Sequence, residues 1–217
     1  FTFCVGMMNC RPGKPFLAED KVGEFLDKSK NGVVFMSFGS IIKASAMPKE
    51  NKDIIWKVFA RFPQYDFIWK WEEELPNTPK NVLGLHYNTY TSSVIGQSAF
   101  KINFDIKNIF LSVSDWLPQQ DILAHTNLKV FITHAGQSSM QELLCHQKPA
   151  LAVPVQGDQP LNAKELVRMK VGLSVQYSSL SEDDLYQVCN TFWCTKKHFY
   201  ERQKNWIQTR LDTNCKF

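Results

Sequence analysis

Apolar residues along the chain fall into two alternating patterns. One is a short, nearly continuous run: GVVFMSFGS, DFIWKW, IFLSVS, KVFIT, ALAVPV and GLSVQY. Runs of this length, rich in Val, Ile and Phe, predict buried strands. The other pattern repeats every three or four positions. LAEDKVGEFLDKS places Leu17, Val22, Phe25 and Leu26 at helical spacing, and MPKENKDIIWKVFARFP sets Pro48 before a stripe of Ile54, Ile55, Val58 and Phe59. Further helices are predicted over QQDILAH, from about Ser138 to His146, from about Gln159 to Met169 and over SEDDLYQVCNTF, where Ser181 and Asp184 form a capping box. Strand and helix alternate, and the strands are apolar throughout. This predicts an α/β, Rossmann-like, doubly wound parallel sheet with helices on both faces. The opening FTFCVGMMNCRPGKPF predicts a short first strand and a linker over 1–16, leaving 17–217 as the main domain.

One stretch breaks the rhythm. Residues 82–108, VLGLHYNTYTSSVIGQSAFKINFDIKN, hold a single acid, Asp105, amid Ser, Thr, Asn and aromatic residues. A connection this long inside a compact domain is unusual. An extra hairpin, a surface flap and a loop are all compatible with it.

Composition narrows the function classes. The chain has 217 residues, 44% hydrophobic, with 25 basic and 21 acidic side chains and a net charge of +4. That excess is small and forms no dense Lys/Arg run, which argues against nucleic acid as a partner. The six cysteines include no C-x-x-C pair, and no metal site is expected. Most of them are expected to be small buried apolar residues. No apolar segment is long enough to span a bilayer, and no signal-peptide pattern opens the chain. The first residue is Phe, so a fragment or a processed chain is expected.

The richest chemistry lies in FITHAGQSSMQELLCHQKPALAVPVQGDQ, Phe131 to Gln159. Ligands of open α/β sheets bind beyond the carboxyl ends of the strands. His134 follows KVFIT there, and Gly136 permits a close backbone approach. Ser138 and Ser139 then open a helix whose free N–H groups suit a phosphate. Met140, Leu143 and Leu144 should face the core, with Ser138, Ser139, Glu142 and His146 on another side. Glu142, about one turn in, could accept from two vicinal ribose hydroxyls. Asp158 and Gln159 follow the next strand toward the same crevice. Each residue also has a plain structural role: Ser138 or Ser139 as an N-cap, Glu142 as a solvated helix residue, Asp158 as the next N-cap, Trp116 as core.

These residues carry a resemblance. The segment resembles the signature of the UDP-glycosyltransferase family, which includes glucuronosyltransferases. DWLPQQDILAH resembles the block before it, VVFMSFGS the first strand and loop, and NCRPGKPF the interdomain connection. The resemblance implies the C-terminal, donor-binding half of a GT-B fold. It implies that Trp116 stacks on or flanks the uracil, that Gln119 contacts uracil or ribose, and that Glu142 holds the ribose hydroxyls. His134, Gly136, Ser138 and Ser139, with Ser40, would hold the diphosphate, and Asp158 and Gln159 the sugar. UDP-sugar is then a co-substrate, with no separate cofactor and no metal, His134 and the helix end carrying the diphosphate charge. The acceptor would be a small lipophilic molecule.

The resemblance also implies what to expect elsewhere. Family members carry Asn or Gly where Ser138 stands, and a second glycine where Ala135 stands, which reads as a mild change. No catalytic residue is expected here, because the family's base lies in an N-terminal domain; His86, His125, His146 and His198 lie outside the matching context. Both ends look truncated relative to the family, which is typically anchored in the endoplasmic reticulum membrane. Removing 82–108 would restore the family spacing, so that stretch reads as a translated intron or alternative exon, with a genuine flap as the rival. The alternative to a transferase half is a catalytically silent fragment that binds UDP-sugar or associates with a full-length transferase.

Overall fold

The structure, a computed structural model, describes residues 9–44, 46–71, 85–86, 109–113, 117–194 and 201. Among the described residues, seven parallel strands form one sheet: β1 Val33–Ser37, β2 Asp66–Trp71, β3 Leu85–His86, β4 Ile109–Val113, β5 Leu128–Thr133, β6 Ala150–Ala152 and β7 Gly172–Ser174. Their spatial order is β3-β4-β2-β1-β5-β6-β7. The chain therefore winds outward from β1 in one direction and from β5 in the other. All six apolar runs form strands. ALAVPV and GLSVQY keep only three strand residues each. Pro154 cannot donate to a ladder, and the last ladder-like bond there runs from the Val153 N–H to the Thr133 carbonyl.

Of the unusual stretch 82–108, only Leu85 and His86 are described, and they add the parallel edge strand β3 beside β4. The predicted first strand lies outside the described residues.

The helices are α1 Lys21–Lys28, α2 Lys49–Ala60, α3 Gln119–Ala124, α4 Gln137–Cys145, α5 Gln159–Arg168 and α6, residues 182–194. Leu17 is not part of α1: it is 70% exposed, and the helix starts after Asp20, whose carboxylate accepts from the Val22 and Gly23 N–H groups. A strong cap outweighed one apolar residue in register. The predicted cap of α6 is present, with the Asp184 N–H donating to Ser181 Oγ at 3.1 Å.

Successive side chains of a strand point to opposite faces, so two cores form. Val34, Met36, Phe67, Trp69, Val130 and Ile132 pack under α2 and α6. Val33, Phe35, Ile68, Phe131 and Ala150 pack under α1, α3, α4 and α5. Phe35 stacks on Phe131 across the central pair with ring centroids 5.2 Å apart. Burying each such side chain contributes roughly 1.5–3 kcal/mol, and this fixes β1 and β5 side by side.

Candidate functional site

Neighbouring strands whose chains depart in opposite directions leave a crevice beyond their carboxyl ends. Here those strands are β1 and β5. Gly39 follows β1 with φ +79, and His134-Ala135-Gly136 follows β5. The His134 ring fills the gap between the two loops. A Cβ built on Gly39 would lie 2.8 Å from its Cε1, and one on Gly136 only 2.4 Å from its Nε2. Both positions are closed to any side chain while the ring is there.

Ala135 sits at φ 64 and is fully buried. A non-glycine residue in this region is strained by about 1–2 kcal/mol, so the alanine that stands in place of a second glycine carries a backbone cost. The Thr133 hydroxyl accepts from the Ala135 N–H, and Asn162 donates to its carbonyl, which holds the strained turn.

Among the described residues, no group hydrogen-bonds to the buried His134 Nδ1. Burial pushes the imidazole down to about 4, with Lys70 acting in the same direction and Asp158 and the Ser37 backbone opposing. At neutral pH the ring is uncharged. It can offer a hydrogen bond but no positive charge.

Helix α4 begins at Gln137 with Gly136 as N-cap and no side-chain cap bond. Neither Ser138 nor Ser139 caps it. Ser138 is exposed, whereas Ser139 is buried and belongs to the core stripe with Met140, Leu143 and Leu144. Its hydroxyl accepts from Gln119 Nε2 at 3.2 Å, so the facing helix α3 supplies a polar partner that the periodicity of α4 alone does not reveal.

Glu142 is not a solvated helix residue. It is half-buried, accepts from Gln119 Nε2 at 2.5 Å and meets Gln120 Nε2 at 3.4 Å. Burial raises its carboxyl above the usual range, while Gln119, Arg11 and Gln120 draw it back.

Beyond β6, Asp158 is the N-cap residue of α5 by position, but its carboxylate accepts from Asn162 Nδ2 at 2.7 Å instead of capping. Gln159 is buried, and its Oε1 accepts from the Val155 and Gln156 N–H groups, both at 2.9 Å. Ser40 lies exposed in the turn after β1. Trp116 lies outside the described residues. The structure thus brings Gln119, Ser139 and Glu142 into one hydrogen-bonded group, sets His134 and Gly136 in contact, and places Ser40 and Asp158 on the loops of the same sheet end.

The family model for UDP-glucoronosyl and UDP-glucosyl transferase matches residues 2–203. The chain belongs to this family. It is 29% identical to UDP-glycosyltransferase UGT5 of Dactylopius coccus over 77% of this chain and 26% of that protein. It is 30% identical to UDP-glucuronosyltransferase 2A2 of Homo sapiens over 86% of this chain and 29% of that protein. It therefore spans under a third of these relatives. A UDP-glucosyltransferase from Polygonum tinctorium, solved as a complex with 3,4-dichloroaniline, shares the fold with a TM-score of 0.67 and 20% identity, covering 90% of this chain and 40% of that one. The fold is the C-terminal half of a GT-B glycosyltransferase.

Several residues of this family member escaped sequence reasoning. Lys70, buried at the end of β2, donates to the Gly39 carbonyl at 2.7 Å and steadies the loop against His134. A lone lysine inside DFIWKW was the available signal. Arg11 forms a two-bond pair with Asp121 of α3 at 2.6 and 2.9 Å. Cys10 and Cys145 form a disulfide, which the sequence reading did not foresee; Cys189 is buried as expected of most of the cysteines, and Cys194 is exposed. The separation of 135 residues between Cys10 and Cys145 is closed only because the linker lies over α4. Among the described residues, the His–carboxylate salt bridge is His125–Asp27, at the amino-terminal edge of the sheet and far from this crevice.

Proposed function

We propose that this chain binds a UDP-sugar, as the donor half of a glycosyltransferase that moves a hexose or glucuronic acid to a small lipophilic acceptor. The observation that carries the reading is the uncapped N-terminus of α4 beside neutral His134, with a half-buried carboxylate one turn further along. Helix N–H groups and the positive end of the dipole suit a diphosphate. Gly136, Ser138, Ser139, Ser40 and His134 surround it as hydrogen-bond donors. The Ser139 hydroxyl accepts from Gln119 and keeps its own proton to give. Glu142 takes the ribose hydroxyls, with Gln119 beside it and Trp116 against the uracil. Asp158 accepts from the sugar, and Gln159, its carbonyl end engaged, offers its amide nitrogen.

In the transfer, an acceptor oxygen bonds to the anomeric carbon while the bond to the UDP oxygen breaks. The donors around the diphosphate stabilise the charge that develops on the leaving group. The acceptor proton passes to a base outside the residues assigned here. A second reading is binding without transfer; it is favoured by the position of the His125–Asp27 pair away from the crevice. Calorimetric titration of the purified chain with UDP-glucose and UDP-glucuronic acid tests the donor assignment. Saturable binding that Glu142→Ala abolishes is expected, and no binding to either sinks it. Sugar transfer by the chain alone would overturn the assignment of the base to residues elsewhere.

A further inference from the structure

Segment 9–14 is docked on α3 and α4 far more closely than a simple connection requires. The Asn9 N–H donates to Gln141 Oε1 at 3.3 Å, and Cys10 is bonded to Cys145. Arg11 holds Asp121 with two bonds, and the Lys14 N–H donates to the same carboxylate at 2.6 Å. A Cβ on Gly13 would lie 2.1 Å from the Ala124 Cβ, so the backbone lies flat on the helix. These contacts leave one backbone donor aimed at the site: the Arg11 N–H meets Gln120 Oε1 at 3.0 Å.

A glutamine amide has one accepting and one donating end. A backbone N–H facing it decides which end lies where. With Oε1 committed to Arg11, the NH2 of Gln120 is directed at Glu142 Oε1, opposite the Gln119 NH2 on Oε2. We propose that Gln120 is a positioning residue for the ribose carboxylate Glu142, locked in one amide orientation by the docked linker. This rests on the donor-site reading above. Its consequence is that the linker governs donor affinity without touching the donor.

The groups that act on the Glu142 carboxylate are Arg11 from the linker and Gln119 and Gln120 from α3. Arg11 and the two amides favour the carboxylate, and burial opposes it. Gln120→Glu keeps an acceptor for the Arg11 N–H but turns an acceptor toward Glu142; Gln120→Met removes both polar ends.

The test is titration of the full chain with UDP-glucose between pH 4.5 and 8, for wild type, both Gln120 variants and Glu142→Ala. Gln120→Glu should weaken binding at pH 7 by about three- to tenfold, and Gln120→Met by less, as expected for one long hydrogen bond of ordinary net strength. The low-pH limb of binding should move to higher pH in both. Wild-type affinity and an unmoved limb in Gln120→Glu would overturn the proposal. NMR titration of the Glu142 carboxyl in the ligand-free chain separates the two ideas. A midpoint raised in both variants upholds the contact even if UDP-glucose fails to bind, in which case the donor reading falls alone. An unchanged midpoint overturns it.

Discussion

The two ends of the crevice are built on different physics. Around His134 the requirement is space: two glycines, a strained Ala135 and an imidazole nitrogen with no partner among the described residues. Around Glu142 the requirement is polarity: two amides, a hydroxyl and a guanidinium arranged in a fixed pattern of donors and acceptors. The first end should fail when volume is added. The second should fail when a donor becomes an acceptor.

The largest effect is expected from Gly136→Ala. Its Cβ would meet His134 Nε2 at 2.4 Å. Overpacking of this kind costs about 1–3 kcal/mol, read as a lowered denaturant midpoint, with UDP-glucose affinity down by about tenfold or more. An unaltered midpoint would show that the ring moves freely.

Next comes pH. His134 is held at about 4 against an ordinary 6.5. Its folded pKa is depressed, so the unfolded chain takes up the proton first as pH falls. Stability is fully present above pH 6.5 and is lost between 6.5 and 4, by at most about 3 kcal/mol. Glu142 has the opposite sign: its raised carboxyl makes the folded state gain stability as pH falls toward the usual carboxylate range. Denaturation of His134→Gln should show less loss over that window, and Glu142→Gln a steeper one.

A smaller effect is expected from Asp121→Asn. Arg11 holds the Asp121 carboxyl below its ordinary range, helped by the Lys14 N–H. That stability is present above about pH 4 and lost as pH falls through the folded value. The variant should lose about 1–2 kcal/mol at pH 7 and flatten the acid limb. The smallest change is Ala135→Gly. Relief of strain is offset by a lost buried methyl and a looser unfolded chain, so thermal unfolding should stay within about 0.5 kcal/mol of wild type.

What could be read from the sequence follows the range of the interactions. The strands and helices rest on local periodicity, and the site's position follows from where loops leave a parallel sheet. The places of His134, Gly136 and Glu142 in the loop after β5 and the first turns of α4 were therefore legible. The core side of Ser139, the raised carboxyl of Glu142 and the linker's hold on α3 were not, because each depends on a facing element distant in sequence. The left-handed turn at Ala135 was not legible either, because φ leaves no mark on residue identity. Lys70 was overlooked because an apolar strand reads as buried without showing what its one charged member reaches.

The Cys10–Cys145 bridge ties together positions on either side of most of the sheet. A single proteolytic cut anywhere between residues 11 and 144 would therefore release nothing. The nicked molecule would migrate as one band on a non-reducing gel and as two after thiol treatment, and the segment bearing Glu142 would stay fastened to the linker that overlies it.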